Sequence, residues 1–73
     1  VNNVKQTIDN LENLNKQLQN IIDELVDAGV EFELRDNYKF CDLLKNPINN
    51  CKIADIQLST LISKIKGFYG IDE

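Results

Sequence analysis

Histidine is absent from this chain. Its absence removes His-based catalytic triads, imidazole proton shuttles and Cys/His zinc sites within one chain. The three glycines, Gly29, Gly67 and Gly70, are isolated and form no phosphate-cradling loop. Arg35 is the only arginine and follows an acidic alternation rather than joining a basic cluster. No run approaches the ~20 apolar residues that span a bilayer. No basic segment followed by an apolar stretch opens the chain, so no secretory signal is expected. The first residue is Val, not Met, which fits a trimmed initiator and a fragment equally. A soluble cytoplasmic protein is the default expectation. The abundance of Asn, Ile, Lys and Asp is the usage an AT-rich genome tends to encode.

Cysteine is sparse, with Cys41 and Cys51 alone. A disulfide between them would close a modest loop, but a reducing cytoplasm opposes it. A two-fold dimer would gather four thiolates, yet the spacing is not the Cys-x-x-Cys of zinc sites. Buried free thiols are the favoured reading. The Asp/Asn-Gly-Glu spacing of a calcium loop is also missing. No cofactor and no metal are expected, and no convergent acid–base or nucleophile set suggests an enzyme.

What the chain does have is a long heptad. With Val1 at position a, the d positions are Val4, Leu11, Leu18 and Leu25. The a positions are Val1, Ile8, Asn15 and Ile22, with Gly29 next. Leu14, Ile21 and Ala28 fall at g and widen the stripe beyond a two-stranded seam. This regularity over about four heptads is near the threshold for a coiled coil. Residues 3–28 are therefore expected to form one amphipathic, coiled-coil-like helix. Asn3 and Gln6 supply a capping box, and Gly29 a left-handed C-terminal cap. Asn15 has two readings: a buried polar residue that fixes register, or a solvated residue at the stripe's edge.

Residues 30–46 are expected to connect this helix to a second. Val30, Phe32 and Leu34 alternate with Glu31, Glu33 and Arg35, the period of a half-buried strand over residues 30–34. A hairpin with Tyr38 and Phe40, pairing with a second chain, and an extended linker are all open. The linker or the intermolecular pair is preferred, because no Asn-Gly or Asp-Gly turn is present. Residues 37–45 also read as a short helix capped by Asp36 and ended before Pro47.

A second long helix is expected over residues 47–67, with Asn46 as cap and Pro47 at its first position. Its apolar series is Ile48, Cys51, Ala54, Leu58, Leu61, Ile65 and Phe68. Ile53 and Ile56 form a second patch on another side, joined by Ile62 nearer the main face, so the first half of this helix is expected to be sandwiched between elements. Lys64 and Lys66 suit the last turn of a helix. Gly67 and Gly70 end it, and residues 70–73 are expected to fray.

The fold expected is mainly α, a single small domain of two long helices packed antiparallel. A core of this size rarely supplies more than ~3–5 kcal/mol. With a 42% hydrophobic content, no His and two Cys, oligomerisation is the remedy left. A helical bundle completed by a homodimer or higher assembly follows. The interface expected for it is Val4, Ile8, Leu11, Leu14, Asn15, Leu18, Ile21, Ile22 and Leu25.

Net charge is −4, and it is uneven. Residues 1–36 hold three basic against eight acidic residues, whereas residues 37–73 hold five against four. An acidic chain does not advertise phosphate binding. The candidate surface for a protein partner is Asp23, Glu24, Asp27, Glu31 and Glu33, facing a basic partner. The bland alternative is a solvated face, partly neutralised by Lys45 and Lys52. The functional expectation is thus a non-catalytic interaction module: adaptor, scaffold, inhibitor or regulator. An alternative is a small dimeric DNA-binding transcriptional regulator of phage or mobile-element origin. The order strand, short helix, helix over residues 30–67 resembles the ribbon-helix-helix architecture. That resemblance implies a strand that reads DNA, but here it would present Glu31 and Glu33 to phosphates.

Overall fold

A computed structural model describes residues 2–71. It contains two helices, α1 (Asn2–Leu34) and α2 (Tyr38–Tyr69), packed against each other. Among the described residues there is no strand. The hairpin is a rod, 53 × 15 × 15 Å.

The heptad of α1 is longer than expected. Its inward residues run Val4, Ile8, Leu11, Asn15, Leu18, Ile22, Leu25, Gly29 and Phe32, all buried or half-buried. Alternating spacings of four and three keep this stripe facing one neighbour. That neighbour is α2, whose inward series is Cys41, Leu44, Ile48, Cys51, Asp55, Leu58, Ile62 and Ile65. Ile8, Ile22 and Ile62 are the residues buried deepest. Val1 lies outside the described residues.

Gly29 does not end α1; the helix runs on to Leu34. At Gly29 the second helix approaches closely. The Cys41 thiol donates to the Gly29 carbonyl at 3.2 Å, and Leu44 Cδ1 lies 3.8 Å from where a Cβ would stand. Glycine costs a helix interior only ~1 kcal/mol relative to alanine, and packing against α2 outweighs that. The strand expected over residues 30–34 is therefore helix. Of its three apolar residues Phe32 turns inward, while Val30 and Leu34 stay exposed. Arg35 and Glu31, four apart, form the i,i+4 ion pair a helix permits, at 2.9 Å.

Backbone bonds close the turn. The Asp36 amide donates to the Glu33 carbonyl and the Asn37 amide to the Phe32 carbonyl, at 3.0 and 2.8 Å. This pair of bonds is a Schellman motif, and its left-handed position is filled by Asp36 at φ 58°. Asp36 thus terminates α1 instead of capping a short helix. Its carboxylate accepts from the Tyr38 hydroxyl at 3.1 Å. Phe32 and Phe40 meet edge-to-face across the turn, with centroids 5.2 Å apart.

Proline 47 corrects a second boundary. It sits inside α2, which begins nine residues earlier at Tyr38. Asn37 flanks that start without a side-chain capping bond. Proline in a helix interior loses one backbone hydrogen bond and crowds the preceding turn. Inward residues on both sides of it hold the helix together: Cys41 and Leu44 before, Ile48 and Cys51 after. The expected capping box is not formed either. Asn3 lies within α1, where its carbonyl accepts from Thr7 Oγ1, and Gln6 donates to Asn10 instead.

The far end behaves as glycine dictates. Gly70, at φ 65°, closes a second Schellman motif, with bonds from Gly70 to the Gly67 carbonyl and from Ile71 to that of Lys66. Ile71 is half-buried. Of the tail expected to fray, Asp72 and Glu73 lie outside the described residues.

Candidate interaction surfaces

The expected α1 interface divides in two. Val4, Ile8, Leu11, Asn15, Leu18, Ile22 and Leu25 face α2 of the same chain. Leu14 and Ile21 do not; they are 49% and 47% exposed.

Asn15 lies in the seam, half-buried, and its partners come from α2. Its amide nitrogen donates to the Asp55 carboxylate and, at 3.3 Å, to the Asp55 backbone carbonyl. Its amide oxygen accepts from Ser59 Oγ at 3.0 Å. The other carboxylate oxygen of Asp55 accepts from Gln19. Four polar side chains thus satisfy one another across a seam otherwise apolar at its neighbouring positions. On the same flank Lys66 Nζ reaches Glu12 Oε2 at 2.7 Å. The sequence carried a signal for Asp55: it holds the a-type place between Cys51 and Leu58. Reading Ala54 and Leu61 as the inward series hid it.

Contacts between Glu12 and Lys66, Asn15 and Asp55, and Gly29 and Cys41 fix how the helices lie against each other. They put Glu12, Gln19, Ser59 and Lys66 on one flank of the rod. By helical periodicity the g positions of α1 fall on the opposite flank. There the same register sets Leu14 level with Leu61, Ile21 with Ala54, and Ala28 with Pro47. Phe40 and Phe68 stand at the two ends of this strip. Leu61 is 47% and Phe68 82% exposed. A shallow apolar groove lined by Phe32, Phe40, Leu43 and Leu44 continues it toward the turn.

The acidic residues do not form one patch. Asp23, Glu24 and Asp27 are exposed on the outer side of α1. Glu31 and Glu33 would share a face in a strand, but in a helix they are ~160° apart. Glu31 is bound to Arg35, and Glu33 lines a groove on the polar flank with Val26, Val30 and Tyr38. Lys45 pairs with Asp42 of its own helix at 3.2 Å.

Cys41 and Cys51 are half-buried free thiols on the inward face of α2. Ten residues of helix separate their Cα atoms by ~15 Å, beyond the ~7 Å a disulfide can bridge. Among the described residues no helix is long and apolar enough to cross a membrane. Comparison with protein-family models, curated proteins and solved structures finds no match to this chain.

Proposed function

We propose that this chain is a non-catalytic protein–protein interaction module, an antiparallel helical hairpin that works as a self-associating oligomer. The observation that carries this reading is the flank holding Leu14, Ile21 and Leu61. It runs along both helices, and none of the described residues covers it. The accessible surface is 5734 Å², against roughly 4600 Å² for a compact chain of this mass. The excess is comparable to what one partner contributes to a standard protein interface. The outer face of α1, with Asp23, Glu24 and Asp27, is the surface offered to a basic protein partner. That role suits an adaptor, scaffold component, inhibitor or regulator of the cytoplasm.

Light scattering on the full chain tests the assembly. A species of at least twice 8.4 kDa at micromolar concentration is expected. A well-folded single unit would overturn the reading. A salt-dependent gel shift tests the competing regulatory role, and tight sequence-selective binding to DNA would displace the protein-partner assignment.

A further inference from the structure

We infer that the apolar flank is covered by a second copy of this chain, turned end for end, so that each turn lies at the open end of the other hairpin. This rests on the self-association proposed above and adds the face, the polarity and the centre of the assembly. The two-fold axis passes at the level of Ile21 and Ala54.

Side-chain size along the flank selects this arrangement. Its three central layers are unequal: Leu14 with Leu61, Ile21 with Ala54, and Ala28 with Pro47. Successive layers are seven residues, or ~10.5 Å, apart. Two copies lying the same way would set the large layer on the large and the small on the small. One layer would be overfilled and another left with a void, and both faults destabilise a core. Inverting one copy about Ile21 sets Leu14 on Ala28 of the second copy and Leu61 on its Pro47. Every layer then holds two large and two small side chains, and interiors favour such even filling. Phe68 of each copy meets Phe40 of the other at the ends.

Charge agrees with the inverted pairing. On the rim, Glu24 comes opposite Gln17 of the second copy and Glu31 opposite its Asn10. No like charges are opposed there. The area allows it: a standard dimer buries about 600–1,000 Å² per partner, and the whole rod exposes about 1,100 Å² more than a compact chain of its mass.

Sedimentation equilibrium on the full chain separates the outcomes. The native chain is expected to be a dimer. Ile21→Asp should give a helical monomer at the same concentration, because Ile21 is exposed within one chain. Ile56→Asp, at an exposed site on the outer side of α2, should leave the dimer intact. A monomeric native chain overturns the self-association itself. A dimer that survives Ile21→Asp overturns only the face assigned here. Polarity is read by a spin label at Lys39→Cys in a Cys41→Ser, Cys51→Ser background. The inverted dimer places the two labels roughly 45 Å apart along the rod; a short distance overturns it. A cysteine-independent readout is the size swap. Leu14→Ala should weaken the dimer and Leu14→Ala with Ala28→Leu should restore it; failure to restore overturns the pairing.

Discussion

Asn15 and Asp55 show how two polar side chains are kept in a seam. Asn15 gives both its donor and acceptor capacity to α2, and Asp55 receives amide donors on both carboxylate oxygens. Removing one partner leaves the other half-buried and one side-chain bond short, with Ser59 still bound to Asn15 or Gln19 to Asp55, whereas removing both lets apolar packing replace the bonds. Asn15→Leu and Asp55→Leu should each cost ~1–2 kcal/mol, while the double variant should lie near the native chain or above it. A urea double-mutant cycle checks this; additive losses would mean that the two residues are independent. The glycines predict opposite signs. Gly29→Ala should stabilise by ~0.5–1 kcal/mol, since the new Cβ meets only ordinary contact and the residue is helical. Gly70→Ala should destabilise by ~1 kcal/mol, because φ 65° strains any L side chain. Thermal or urea midpoints measure both, and a loss at Gly29 would contradict a continuous α1. Asp36→Gly should gain ~0.5–1 kcal/mol for the same reason that Gly70→Ala is strained.

At the scale of the helices, each continues through a residue that local preference would use as a stop. Gly29 in α1 and Pro47 in α2 both lie inside helices. The inward stripe passes both sites without losing its four-three spacing, so ending either helix would strip contacts from its neighbour. Proline remains the costlier of the two, at up to ~3 kcal/mol in a helix interior. Pro47→Ala should therefore raise stability by ~1–3 kcal/mol with no loss of helical circular dichroism. A drop in either would show that the proline itself sets the path of α2. The acidic group also changes meaning at this scale. A strand would align Glu31, Glu33 and Arg35 on one side, whereas α1 turns Glu33 away and ties Glu31 to Arg35. Reversing Glu33 and reversing the outer group of Asp23, Glu24 and Asp27 should thus affect different contacts. Pull-down of a basic partner by each variant would show this as separate losses.

The whole molecule is one seam long and one layer thick. A 53 Å rod only 15 Å across cannot shield both flanks of its stripes. One flank is polar over Glu12, Gln19, Ser59 and Lys66 and exposes Val26, Val30 and Tyr38 only toward the turn. The other carries Leu14, Ile21 and Leu61. If assembly covers that flank, stability should depend on protein concentration, with the unfolding midpoint rising as concentration rises. Denaturation at concentrations a hundredfold apart checks this, and a constant midpoint would mark the hairpin as stable alone.

The heptad, read from side-chain spacing, determined that Val4 to Leu25 form one helix face and that Leu14 and Ile21 lie beside it. Apolar periodicity is a local property, so the chain displays it directly. Gly70 made the end of α2 legible, but where α1 stops and α2 starts was not, because Gly29, Asn46 and Pro47 send stop signals worth a few kcal/mol at most. Contacts with residues far along the chain overrule those signals. Only the tertiary structure decided that Asn15 answers Asp55, forty residues away, and that the seam of α1 is used up within one chain. The exposed flank follows from that decision, since covering one stripe with α2 left Leu14 and Ile21 of α1 on the same side as Ala54 and Leu61 of α2.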